Sequence, residues 1–490
     1  MRRNGRAGVT VRSVKGPACG DAEVVLYTGR DPLSDRENLL KDSEKTERNR
    51  RMSRRSEGRG ESILSILIGI LVLLAGAAAV FYAAYKVSYV SVDYGIHVGI
   101  AEELDWSDPV QMLKEHPEPV WHILVRIAMK ICRVDAQRAA GFVSGGLCAL
   151  TYLIAAHFLY RAVGKGAITA RDTAVNLSVK ASAAASPGSA SGLSLIGAAV
   201  FTWLLSISSA IFVPWFNEKP YVGQGSPNPW HNPTTIMVRP IALLIFILVM
   251  GECVRVQRGG FRKGQGLRIW KGFLLAFLLL LSNISKPSFV QIFYPAIFLL
   301  MFLWLFVYRF RNFPLGMQLL LCCVPSVALM ALQFISAFYG STNEDSAGVV
   351  FAPFKVAGIY TRNIAFSTFL VLAFPLFVGL CSMVRRTFDW TDAFAWIMLL
   401  VGMAEKFLLA EGGSRMAHGN FNWGYILAVY LLWFVSIRDY SAWSCSFPED
   451  GGAKKALSIL FFILGGLVLI AHFISGIYYL YYLIVLGNGI

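Results

Sequence analysis

Residues 63–85 read ILSILIGILVLLAGAAAVFYAAY, and residues 91–104, just beyond, read SVDYGIHVGIAEEL. The first is an uncharged apolar run long enough to cross the hydrocarbon of a bilayer as a helix. The second is acidic. Asp93 and His97 stand four residues apart, so a helix places both on one face, with Ile96, Val98 and Ile100 holding the segment at the membrane surface. A membrane helix that leads directly into a carboxylate and an imidazole suits chemistry on a membrane-borne substrate.

Apolar runs of this kind recur through the rest of the chain. Of its 490 residues 56% are hydrophobic and 15% charged, with a mean hydropathy of +0.55, a composition that excludes a soluble globular protein. The predicted fold is all-α, a polytopic bundle of about eleven transmembrane helices with interfacial helices in the first outer loop. The expected spans are 63–85, 136–163, 191–213, 233–251, 271–284, 287–308, 315–339, 362–383, 391–410, 421–437 and 456–486.

The formal charge of +15 has a topological reading. Residues 1–61 hold 15 Lys/Arg against 10 Asp/Glu, with six arginines from Arg48 to Arg59 crowding the approach to the first span. This segment is read as a disordered basic cytoplasmic tail, and residues 62–490 as the membrane domain. The remaining positive charge falls in alternate loops, at Arg255, Arg258 and Arg268, at Arg309 and Arg311, at Arg385 and Arg386, and at Arg438 and Lys455. The intervening loops carry acids such as Glu102, Glu103, Asp105 and Glu411. The positive-inside rule then places a multi-pass protein in the plasma membrane, with its N-terminus cytoplasmic and its C-terminus outside. The charge needs no nucleic acid to explain it. The first apolar segment follows about sixty polar residues and is expected to persist as an anchor. Residues 164–190, rich in Ala, Ser and Gly, are read as a flexible cytoplasmic loop. The eight cysteines show neither disulfide nor zinc spacing.

Two expected spans meet at SNISKPS, residues 282–288. Pro287 interrupts a helix and Lys286 is expensive in lipid, so two short helices are expected to meet against protein or a water-filled cavity. Within the first outer loop, 86–134, Pro117 and Pro119 frame an apolar helix over 120–131. It is expected to lie in the interface, with Trp121 at headgroup depth and Arg126 and Lys130 snorkelling. Five of the seven histidines, His97, His116, His122, His231 and His418, fall on the outer side of this topology.

The order of basic tail, membrane helix, acidic loop with an Asp-x-x-x-His run, Pro-flanked apolar helix and second membrane helix resembles the GT-C superfamily of integral membrane glycosyltransferases. The likeness covers residues 63–163 in detail and the remainder by general layout. It implies transfer of a sugar from a polyprenyl-phosphate donor, at the outer face, to a glycan, lipid or protein acceptor. Carried over residue by residue, it makes Asp93 the candidate base, with His97 beside it. The chain departs from the pattern at Tyr94, where a second acid would stand.

Such a reaction needs positive charge for the departing phosphate. Arg415, in the Gly-rich loop AEGGSRMAHGNFNWG of residues 410–424 together with His418, is one source. Lys286 is another, and Arg239, inside an otherwise apolar span, the third. In GQGSPNPWHNPTT, residues 223–235, Trp230, His231 and Asn232 could stack on and hydrogen-bond a sugar. Glu405 and Lys406 are read as merely approaching the outer surface. No cofactor is implied. A divalent metal held by Asp93 and the outer histidines is an open option that no short ligand spacing supports. Two alternatives stay open: an O-antigen-type polysaccharide polymerase or ligase that depends on Arg415 and His418, and a secondary transporter or flippase built on Lys286, Arg239 and the broken helix pair.

Overall fold

A computed structural model describes residues 63–177, 193–217, 219–259, 266–339, 348–445 and 452–486. The tail 1–61 and residues 178–190 of the predicted cytoplasmic loop lie outside the described residues. The helices run α1 Ile63–Ser88, α2 Val92–Glu103, α3 Pro109–Glu115, α4 Val120–Cys132, α5 Ala136–Leu177, α6 Leu195–Ile207, α7 Pro233–Gln257, α8 Ile269–Ser285, α9 Ser288–Val307 and α10 Phe313–Tyr339. They continue with α11 Lys355–Tyr360, α12 Ile364–Val384, α13 Trp390–Leu408, α14 Asn422–Ser444 and α15 Ala453–Ile484. Strand β1, Val349–Phe351, pairs antiparallel with β2, Leu409–Glu411, in the register Val350 to Ala410.

Among the described residues, eight helices are long and apolar enough to cross a membrane. The other three expected spans coincide with helices that fall short of that description. Helices α6 and α8 are shorter, with 13 and 17 residues, and α13 carries Asp392, Glu405 and Lys406. The span predicted over 191–213 ends as helix at Ile207. Residues 208–213 have no regular structure, and α15 accepts their backbone: Ser209 N–H donates to the His472 carbonyl at 3.1 Å and Phe212 N–H to Ser475 Oγ at 3.2 Å. Irregular backbone at this depth persists because it is buried against protein. Helix α5 continues to Leu177, so the first part of the expected 164–190 loop is helical.

Helices α7 and α14 are buried along most of their length, and Gly424 to Ile437 of α14 form an unbroken buried run. Buried on nearly all sides, they make the centre of the bundle. Helix α1 packs at the periphery, where Gly141 and Gly145 of α5 let its backbone approach; a Cβ at either would meet the ring of Tyr85 or Phe81.

One end of the bundle is marked by ion clusters. Glu252 pairs with Arg255 and with Lys271, at 3.0 Å for the latter, and Arg438 is held among Asp389, Asp392 and Asp439. The opposite end collects α2, α4, the start of α7, the α8–α9 junction and the 409–423 segment.

Candidate functional site

Asp93 lies in the first turn of α2 and is fixed by two contacts from the segment that opens α7. Ser91 Oγ donates to the His231 carbonyl at 3.0 Å, which pins the start of α2. Asn232 caps α7: its Oδ1 accepts from Thr235 N–H at 2.9 Å and from the hydroxyls of Thr234 and Thr235 at 3.1 and 2.7 Å. That fixes the orientation of the amide, so Nδ2 points the other way and donates to Asp93 Oδ2 at 3.1 Å. The opposite face of α2, Tyr94, Val98 and Ala101, is buried, with Tyr94 edge-on to Trp121 at 5.9 Å.

The network continues to Lys286. Its Nζ donates to Thr234 Oγ1 at 2.7 Å, pairs with Glu118 Oε2 at 3.4 Å and lies 5.1 Å from the centre of the Trp423 ring. Lys286 is 5% exposed and sits between the end of α8 and the start of α9, where Pro287 stops the first helix. Of the two short helices expected to meet here, the first has 17 residues and the second 20, the latter close to its expected range 287–308. Burial is the main influence on Asp93 and pushes its carboxyl above the usual range, opposed by the Asn232 hydrogen bond and the Lys286 charge. A carboxylate poised in this way is a better proton acceptor than an exposed one.

His97 belongs to a second branch. His122 Nδ1 contacts the Glu118 carbonyl at 3.2 Å, and His122 Nε2 contacts His97 Nδ1 at 2.9 Å. A carbonyl only accepts, so His122 carries its proton on Nδ1 and accepts on Nε2. His97 must then donate from Nδ1, which leaves Nε2 as its basic nitrogen. Burial and the neighbouring His122 and Lys286 charges hold the His97 pKa down at about 3, and burial holds that of His122 at about 4. Both imidazoles bind protons less readily here than in an unfolded chain. Their contribution to stability is complete above the ordinary 6.5 and is lost as pH falls toward 4 and then 3. The melting temperature of the purified protein should fall over that interval, and that of a His97→Gln, His122→Gln double variant should fall less; equal slopes would show that the pair does not set the acid stability.

Asp93 opens onto a cleft of about 210 Å³ that is also lined by His231, Lys406, Glu411, His418 and Trp423. Gly223 edges it at a φ of 88°, with its Cβ position against the Tyr360 carbonyl, so no other residue fits there without strain. The residues singled out from the sequence distribute unevenly around this space. His231 lines it but is almost wholly buried, with Nδ1 against the Tyr479 hydroxyl at 2.8 Å. Arg415 is exposed and paired with Glu411 at 3.1 Å, a surface ion pair beside the cleft.

Other residues named from the sequence lie apart from this space. Trp230 is 1% exposed and outside the cleft lining, packed in the core. Arg239 donates to Asn228 Oδ1 at 2.9 Å and lies 5.3 Å from the centre of the Tyr430 ring. Asn228 in turn bonds the Leu205 and Ser208 carbonyls at 2.8 Å, so Arg239 braces the end of α6. Trp121 is fully buried with Nε1 on Ser144 Oγ at 3.1 Å, and α4 is therefore a packed helix without a headgroup anchor there. Among the described residues no three His, Cys, Asp or Glu side chains are grouped as a metal site.

Glu118, Thr234 and Trp423 are site residues that the sequence reading did not single out, and Lys406 is one that it read as merely approaching the outer surface. Glu118 and Lys286 are opposite charges at breaks in apolar sequence, which was a usable signal; a threonine in the first turn of a helix gives none. Neither a family model nor a curated protein matches this chain, which is a multi-pass helical membrane protein.

Proposed function

We propose that the protein is a membrane glycosyltransferase of GT-C-like layout that takes its sugar from a polyprenyl-phosphate donor at the outer membrane face. The observation that carries this reading is a half-buried carboxylate, Asp93, hydrogen-bonded by Asn232 at 3.1 Å, at the end of a membrane helix and in a cleft with Lys406 and Trp423. The acceptor hydroxyl oxygen bonds to the anomeric carbon while the bond from that carbon to the phosphate oxygen breaks. The phosphate leaves with the electron pair, and the hydroxyl proton passes to Asp93. Trp423 gives a flat apolar face beside the reacting centre, and the cations favour the departing phosphate.

The transporter reading places Lys286 and Arg239 together at the membrane midplane. Here Lys286 bonds Thr234 and Glu118 at the end of the bundle, while Arg239 turns to Asn228 and Cys148. That separation favours the transferase.

Mass spectrometry of envelope glycans and of polyprenyl-linked sugars, in cells with and without the gene, tests the proposal. Deletion should remove one sugar-bearing product and raise the level of its lipid-linked donor. A deletion that leaves both pools unchanged would overturn it.

A further inference from the structure

Lys406 stands between the cleft and a second, apolar groove on α13. Lys406 is 8% exposed and lines the cleft that holds Asp93. No carboxylate among the described residues pairs with it; its Nζ lies 4.0 Å from the centre of the Tyr425 ring and 5.3 Å from that of Phe407. Two other cations near the site are engaged, Lys286 by Glu118 and Arg415 by Glu411. A buried ammonium that rests only on aromatic faces retains donors for an anion.

On the other side of the same helix lies a second cavity of about 630 Å³. Leu400, Met403, Ala404, Phe407 and Leu408 form one wall at i, i+3, i+4, i+7 and i+8 of α13, facing Ile364, Ala365 and Thr368 of α12. No charged side chain lines it. The groove and the cleft share the last turn of α13 and the segment from Phe354 to Tyr360. Phe354, held at a φ of 58°, sets its ring 5.8 Å from Phe407 on the groove side, while Val356, Ala357 and Tyr360 face the cleft.

We infer that the groove and the cleft together form one amphiphile site, in which the isoprenoid chain of a polyprenyl-phosphate lipid lies between α12 and α13 and its phosphate is held by Lys406. Charge complementarity selects this occupant: the groove has no charged lining, its Phe407 is the residue next to the unmatched Lys406 in the last turn of α13, and Lys406 shares a cleft with Asp93. The sugar beyond the phosphate then faces the carboxylate. This inference rests on the transferase reading and adds to it the position of the donor.

The test uses the full-length protein in detergent with a polyprenyl phosphate that carries a diazirine on its isoprenoid chain. Label should fall on residues 364–368 and 400–408. Met403→Trp should exclude the chain from the groove. Lys406→Met should weaken binding about tenfold or more, the range of one charge-assisted contact, and Lys406→Arg should restore most of it. The matched polyprenol, without phosphate, should bind as weakly to the parent protein as the phosphate lipid does to Lys406→Met. Inorganic phosphate at equal concentration should not compete.

Label elsewhere, equal binding of the polyprenol, or binding unmoved by both Lys406→Met and Met403→Trp would overturn the inference. Asp93→Asn should label like the parent protein, which separates the two claims. If labelling behaves as described while no glycan depends on the gene, the lipid-phosphate site stands and the transferase reading fails. If glycans depend on the gene while labelling ignores both variants, only the donor position fails.

Discussion

Asp93→Asn is expected to lower sugar transfer by about a hundredfold to ten-thousandfold, the range lost with a positioned general base. The replacement is nearly isosteric, and its Oδ1 can still accept from Asn232 Nδ2, the contact that spans 3.1 Å with the carboxylate. Positioning is therefore kept while proton acceptance is removed. The amount of protein in the membrane should stay unchanged, and quantitative blotting beside the transfer assay checks it. Burial pushes the Asp93 carboxyl above its ordinary 3.8, so the acid limb of the pH profile should lie above that value. Activity is present when the carboxylate is ionised and is lost as pH falls through its raised pKa. Transfer retained by Asp93→Asn would exclude Asp93 as the base.

Arg438→Met should be the most destabilising single change at the opposite end of the bundle. The guanidinium lies 2.6 Å from Asp439, 2.9 Å from Asp392 and 3.5 Å from Asp389, and its side chain is 12% exposed. Asp389 and Asp392 also form the capping box that begins α13. Removal of the one cation leaves three carboxylates close together in a largely desolvated pocket, and breaking a buried pair of this kind costs roughly 3–5 kcal/mol. Asp439→Asn removes one of the three negative charges and should cost much less. A thermal unfolding series on detergent-purified protein measures both. Equal losses for the two variants, or no loss for Arg438→Met, would show that the cluster does not lock α13 to α14.

The membrane class was legible because it rests on local quantities. A run such as 63–85 is apolar along its whole length, and bilayer thickness turns that length into a helix. The stop at Pro287 was equally local, since proline denies the backbone a donor and clashes with the preceding turn. The shared face of Asp93 and His97 followed from helical periodicity alone.

Burial depends on what packs around an element, and sequence position does not report it. Trp121 and Trp230 occur in aromatic, proline-rich contexts that look interfacial, yet both are enclosed by other helices. Arg239 resembled a functional charge because it is costly in lipid, but its partner Asn228 comes from a loop that only the folded chain brings beside it. Lys406 shows the reverse: an ordinary lysine near a helix end becomes a buried cation once α14 and the 354–360 segment close over it.

The sequence by itself determined that this chain is a helical multi-pass membrane protein with a carboxylate and an imidazole on one helical face beyond its first apolar span. Only the tertiary structure decided which polar groups meet there. Asn232, Thr234, Glu118 and Lys286 come from segments far apart in the chain, and hydrogen bonds and desolvation act over a few ångströms of space whatever the sequence separation.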